Sequence, residues 1–232
     1  MNVMQSGTTG KLNIKITGIA EAKLENTLML GKKLPEKIKY YKVYEDKPAL
    51  FLDRDGVVIE DKHYISDPEL VELCPGAKEL IIETKKQGNA VILVTNQSGI
   101  ARGLFDWKDY QLVTDKMLEL LGGTATPTAI YANGYGPNQS YESWRKPNPG
   151  MLIKAAKDLG VDLKRSTIIG DRLSDLQTGV NAGLRQLIHV LTGKGHKERP
   201  LIQKAIESDS RFQAPGTIVR LIKNLEELCI GS

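Results

Sequence analysis

Three short apolar runs, Ala49–Leu52, Ala90–Val94 and Thr167–Ile169, each lead straight into a polar or acidic cluster. Strands that are apolar at every position are buried on both faces, which happens when helices cover a parallel sheet on both sides. The stretches between the runs read as helices. Gly76–Gln87 places Ala77, Leu80 and Ile81 on one side and ends at Gly88. Trp107–Leu121 follows Asp106, a suitable N-cap, and Pro149–Leu159 carries Met151, Leu152, Ala155, Ala156 and Leu159 as an apolar stripe.

Further strands are expected at Pro127–Ala132 and Gln186–Leu191, and helices at Leu173–Ala182, near 198–206 and near 217–228. This alternation predicts an α/β domain with a parallel sheet and helices on both faces, spanning 48–232. Residues 1–47 read as an N-terminal extension of unknown role. Leu12, Ile14 and Ile16 alternate as in one short strand, and Glu21–Leu30 fits a short helix. Residues 133–148, rich in Gly, Pro, Asn and Ser, read as a loop.

The formal charge of +4 is dispersed among nearly as many carboxylates, and no basic stripe marks a nucleic-acid protein. No apolar run is long enough to span a membrane, and the opening MNVMQSGTTG has no apolar targeting core. The expected location is cytoplasmic, with Cys74 and Cys229 as free thiols.

Chemistry concentrates at the strand ends. Asp53 and Asp55 are two residues apart, so in extended chain they face one site, and Gly56 lets the chain turn away. Paired carboxylates need a cation or a proton between them, and oxygen ligands of this kind suit Mg²⁺. Val94-Thr95-Asn96-Gln97-Ser98-Gly99 offers a hydroxyl and backbone N–H groups to phosphate oxygens. Lys146 can neutralise a phosphoryl group. Asp171 is placed as a further metal ligand and Asp175 as its support.

These four elements resemble the four motifs of the haloacid dehalogenase (HAD) superfamily of phosphatases. LDRDGVV, VTNQSGIARG, RKPNPGML and GDRLSD are similar to the heptose bisphosphate phosphatase and histidinol-phosphate phosphatase branch. The likeness runs from about Ala49 to about Lys197. It implies an enzyme with a HAD-like Rossmannoid sheet that hydrolyses a small sugar phosphate, most closely heptose 1,7-bisphosphate, through an aspartyl-phosphate. Histidinol phosphate, another small ester or a polynucleotide end are the alternatives. By this resemblance Asp53 is the nucleophile and Asp55 the acid and base. Mg²⁺ sits on the Asp53 carboxylate, the Asp55 backbone carbonyl and Asp171, and Thr95 and Lys146 hold the phosphoryl oxygens. Asp61, His63, Tyr64, Asn96, Gln97, Ser98, Arg145 and Arg172 line the substrate site, and Arg102 is placed to meet a second phosphate or a carboxylate.

Two departures stand out. Tyr131–Trp144 has no cysteine or histidine where members of the family carry a zinc loop, so no zinc is expected. Arg172 stands where Lys is common, which keeps the charge but changes its hydrogen-bond geometry. Both intervals that hold cap domains in the superfamily look filled by core elements, which implies an uncapped site. His189 reads as a satisfied core histidine, and Gly193-Lys194 lacks the rest of a P-loop.

Overall fold

The computed structural model describes residues 15–18, 44–136 and 144–229. In chain order the elements are β1 (Lys15–Gly18), β2 (Ala49–Leu52), α1 (Ala77–Lys86), β3 (Ala90–Asn96), α2 (Ser98–Ala101), α3 (Trp107–Leu121) and β4 (Ala129–Asn133). They continue with α4 (Gly150–Leu159), β5 (Thr167–Gly170), α5 (Leu173–Asn181), β6 (Gln186–His189), α6 (Gly195–Ser208), β7 (Ile218–Leu221) and α7 (Glu226–Cys229). The sheet is parallel throughout, in the order β1-β4-β3-β2-β5-β6-β7.

The apolar runs are buried on both faces, as the sequence predicts. Leu50 and Leu52 of β2 join one core with Val91, Leu93, Ile130 and Ile169, covered by Ala77 and Ile81 of α1 and Val113, Met117 and Leu121 of α3. Their neighbours Ala49 and Phe51 point the other way, into a core with Ile92, Val94 and Ile168, covered by Met151, Leu152 and Ala155 of α4 and Leu176 of α5. Fully burying a side chain such as Phe51 stabilises by about 1.5–3 kcal/mol, so this two-sided core holds β2 rigidly as the centre strand.

The order of strands turns at β2. Its neighbour on one side is β3, the next strand in the chain, and on the other β5. A crevice opens at the carboxyl ends there, where ligands bind in sheets of this type. Asp53 follows β2 and Asp171 follows β5. The N–H of Asp53 donates to the carbonyl of Ile169 at 3.0 Å, so the two loops leave the sheet side by side. Elements of the core itself fill the positions between the site loops, and no large cap domain is present among the described residues.

Three expectations need correction. The stretch 217–228 is not one amphipathic helix. Ile218–Leu221 pairs with β6 as an edge strand, where β-branched Ile218 and Val219 fit a pleated ladder better than a helix, and only Glu226–Cys229 is helical. β3 runs on to Asn96, so Thr95 and Asn96 lie in its last turn-free residues rather than in a turn. The helix expected near 198–206 begins at Gly195 and ends at Ser208. In the N-terminal extension, β1 pairs with β4, which places part of it on the sheet. Leu12, Ile14 and the helix at Glu21–Leu30 lie outside the described residues. Among those described, no helix is long and apolar enough to cross a membrane.

Candidate active site

The four sequence elements converge on one cavity of about 420 Å³. Asp53, Asp55, Asp61, His63, Tyr64, Thr95, Asn96, Gln97, Ser98, Arg102, Arg145, Lys146, Arg172 and Asp175 all reach it, so nearly every residue singled out in the sequence lies on its wall. Asp171 sits fully buried beneath it.

At the floor, one oxygen from each of Asp53, Asp171 and Asp175 lies within 4.8 Å of the others. Three carboxylates this close in a dry site repel one another. Burial, together with the charges of Asp175 and Asp55 and against the pull of Lys146, pushes Asp53 up to about 7. Burial and the charges of Asp175 and Asp53 push Asp171 up to about 8. Oδ1 of Asp171 is buried without a hydrogen-bond partner, and Oδ2 accepts from the backbone N–H of Lys194 at 2.6 Å. An orphaned carboxylate oxygen facing a second carboxylate, all oxygen donors, fits a hard divalent cation such as Mg²⁺.

The surroundings are built to hold Asp171 close. Gly56 has a φ of +85°, and a Cβ there would lie 2.5 Å from Oδ2 of Asp171. Only glycine meets both demands. Gly193, at φ +59°, is excluded from bearing a side chain by the same carboxylate, at 2.3 Å.

Lys146 stands between two acids. Its Nζ lies 3.0 Å from Oδ2 of Asp53 and 2.5 Å from Oδ1 of Asp175, and it donates to the carbonyl of Val94 at 3.0 Å. Two carboxylates and a carbonyl oxygen thus surround the ammonium group. Burial alone lowers a lysine, but Asp175 and Asp53 outweigh it and hold Lys146 above its ordinary value, so it stays charged. Asp175 is itself fixed at the other oxygen, which accepts from the backbone N–H of Arg172 at 3.0 Å. Asp175 thus ties Lys146 to the backbone ahead of α5 and stands within the carboxylate cluster.

Asp55 points elsewhere, so its side chain is not part of that cluster. It accepts from Nε of Arg54 at 3.1 Å, Nη2 of Arg54 at 3.0 Å and Nε2 of Gln97 at 2.9 Å, with the Thr95 hydroxyl at 3.4 Å. Burial would raise its pKa, but Arg54, and then Gln97 and Lys146, bring it below the usual carboxylate value. Two of the residues on the cavity wall also brace their neighbours. Gln97 anchors Asp55, and Asn96 braces the main chain of Lys146 from both sides: Nδ2 donates to its carbonyl and Oδ1 accepts from its N–H, each at 3.2 Å.

The rim is cationic. Arg145, Arg102 and Arg172 stand near enough that burial and then the other two guanidiniums lower Arg145. Arg145 donates to the carbonyl of Tyr135 at 3.0 Å, and Arg102 lies 5.8 Å over the ring of Tyr64. Tyr131 and Trp144, at the two ends of the zinc-less segment, pack with ring centroids 5.9 Å apart. Tyr141 lies outside the described residues. His189 is buried, as read from the sequence. Its Nε2 lies 3.0 Å from the carbonyl of Asp171, and Nδ1 accepts from Nε of Arg199 at 2.8 Å, which places the ring proton on Nε2.

Sequence reasoning missed Arg54 and Lys194. Arg54 could have been found by its oddity, a charged residue at the end of a fully apolar strand, where burial requires a partner. Lys194 was noticed only as part of a failed P-loop.

A strand end with two carboxylates, a hydroxyl-bearing strand end, a lysine ahead of a helix and a further acidic strand end around one crevice define a HAD-type hydrolase. The HAD-hydrolase-like family model matches residues 143–212. The chain is 45% identical over 146 residues to the D-glycero-β-D-manno-heptose-1,7-bisphosphate 7-phosphatase of Mesorhizobium japonicum, covering 60% of this chain and 67% of that protein. It is 39% identical to the enzyme of the same name from Photorhabdus laumondii, over 63% of this chain and 82% of the relative. The crystal structure of D,D-heptose 1,7-bisphosphate phosphatase from B. bronchiseptica, complexed with magnesium and phosphate, superposes with a TM-score of 0.67 at 32% identity, over 78% of this chain and 96% of the other. The chain belongs to the heptose-1,7-bisphosphate phosphatase family of HAD-type phosphatases.

Proposed function

We propose that the chain is a Mg²⁺-dependent phosphatase that removes the C7 phosphate of D-glycero-β-D-manno-heptose 1,7-bisphosphate, with Asp53 as nucleophile. The observation that supports this reading most is the position of Asp53. It lies on the floor of the cavity between Lys146 and Asp171, under a rim carrying Arg102, Arg145 and Arg172. A bisphosphate offers one phosphate to the floor and one to the rim.

Mg²⁺ would be held by the carboxylates of Asp53 and Asp171 with the main-chain carbonyl of Asp55. When bound, it screens the repulsion between the nucleophile and the phosphoryl oxygens and acts as a Lewis acid. Lys146 and Thr95 orient those oxygens, and Lys146 can release one of its three present partners to do so. An oxygen of Asp53 attacks phosphorus while the bond to the sugar C7 oxygen breaks, and Asp55 gives its proton to that leaving oxygen. Asp55 then takes a proton from a water whose oxygen attacks the same phosphorus. The bond to Asp53 breaks, and inorganic phosphate leaves. Asp55 must be protonated at the outset, and Arg54 opposes this in the free protein. A phosphate dianion arriving beside Asp55 raises it again, so the acid is armed by its own substrate.

The test is phosphate release with Mg²⁺ from both anomers of heptose 1,7-bisphosphate, fructose 1,6-bisphosphate, histidinol phosphate and a 5′-phosphorylated oligonucleotide. Preference for the β-heptose bisphosphate supports the proposal. A higher kcat/KM on histidinol phosphate or the oligonucleotide moves the chain to that substrate class and ends the heptose reading.

A further inference from the structure

The loop after β6, Thr192-Gly193-Lys194, closes against the site from a side that none of the four motifs occupies. The Thr192 hydroxyl donates to the carbonyl of Gly56 at 2.5 Å. Gly193 packs its backbone against Gly56 and the carboxylate of Asp171. The N–H of Lys194 donates to Asp171, and its Nζ reaches across the cavity mouth to Oδ2 of Asp61, 3.0 Å away.

Asp61 belongs to the loop after the first motif. Its side chain is 9% exposed, and its other oxygen accepts from the N–H of His63 at 2.8 Å. His63 and Tyr64 both have positive φ, 55° and 62°. Non-glycine residues hold such a conformation only where their surroundings impose it. Tyr64 in turn lies beneath Arg102. One chain of contacts therefore runs from Asp171 through Lys194, Asp61 and His63 to the Tyr64–Arg102 rim.

We infer that Lys194 is a positioning residue, a latch that holds the 61–64 loop in its strained shape and so sets the rim that selects the substrate. The inference rests on the cavity being the substrate site. An ordinary exposed ion pair contributes little. This one differs because Asp61 is nearly buried and the backbone of Lys194 is anchored on the floor carboxylate.

The test uses the full chain with Lys194→Met, Lys194→Arg, Asp61→Asn and the double variant Lys194→Met/Asp61→Asn. In the free protein, amide exchange at His63 and Tyr64 should quicken about fivefold or more in Lys194→Met and return toward wild type in Lys194→Arg, as expected for losing about 1 kcal/mol of local hold. With heptose 1,7-bisphosphate, KM should rise about fivefold in each single variant and no further in the double, while kcat changes less than KM. Exchange at His63 and Tyr64 unaltered by Lys194→Met overturns the latch. So do KM losses that multiply in the double variant. If the wild type fails to turn over the bisphosphate, the function proposed above falls, and the exchange measurement, made without substrate, still decides the latch.

Discussion

The guanidinium of Arg54 grips the carboxylate of Asp55 at both oxygens, although the two residues are adjacent in the chain and side chains of neighbours in a strand diverge. The chain bends at Arg54, just past the end of β2. Arg54 is buried, lies 4.9 Å over the ring of Tyr110 and donates to the Thr114 hydroxyl at 3.4 Å. It is the fixed post on which the Asp55 carboxylate, the proposed acid and base, is mounted. Arg54→Lys keeps the charge but loses the two-point grip, so kcat should fall about 10–100-fold with a smaller change in KM. Arg54→Met removes a buried charged partner, and urea unfolding should show a loss of about 2–4 kcal/mol.

Lys146 is the sole side-chain cation in contact with Asp53 among the described residues. Lys146→Met should lower kcat at least about 100-fold, the scale of removing a preorganised charge from a phosphoryl site. Saturating substrate should not restore it, because the loss falls on the chemical step. Steady-state kinetics will separate the two.

Stability without metal should decline as pH rises. Asp53 and Asp171 are held at about 7 and about 8, above their unfolded value of 3.8. Between those limits the folded chain keeps protons that the unfolded chain has lost, so the stabilisation present at low pH drains away between pH 4 and 8. His189, held down to about 4 by burial, works in the opposite sense below its unfolded value of 6.5. The clean readout is therefore the rise in Tm on adding Mg²⁺, in which the part due to His189 largely cancels. That rise should be larger at pH 8 than at pH 5, because a cation replaces protons at Asp53 and Asp171. Equal rises at both pH values would contradict the assignment of these carboxylates to the cation.

Two glycines of like backbone make a controlled pair. Gly183 has φ +82° with nothing within 4 Å of an added Cβ, whereas at Gly193 the added carbon meets Asp171 at 2.3 Å. Gly183→Ala should cost only the backbone term, about 1 kcal/mol. Gly193→Ala should lose more stability and weaken Mg²⁺ binding at least about tenfold, measured by calorimetry, since Asp171 must move.

Much of the site was legible because its chemistry sits at strand ends. Apolar runs with no alternation announce strands buried on both faces, and the residues that follow them must meet at one edge of a parallel sheet. Asp53, Thr95 and Asp171 were reached in this way, whereas Lys146 was singled out ahead of a helix and Asp175 from its spacing after Asp171. What stayed hidden depends on contacts across long separations in the chain. Lys194 meets Asp61 only because β6 lies two strands from β2, and no local pattern encodes that approach. Gln97 and Asn96 were read as lining the site, and their bonds to Asp55 and Lys146 are contacts that no local pattern encodes. Ile218–Leu221 was lost to the helical spacing of Ile222, Leu225 and Leu228, which belong to a separate turn and the short α7.

The most direct test of the account is to acid-quench a single turnover of heptose 1,7-bisphosphate labelled at the C7 phosphate, then treat the protein with borohydride and map the peptide containing residue 53. Transient protein-bound phosphate, with homoserine at position 53 after reduction and neither signal in Asp53→Asn, is the predicted result. Turnover that persists in Asp53→Asn, or label bound at another residue, would contradict Asp53 as the nucleophile.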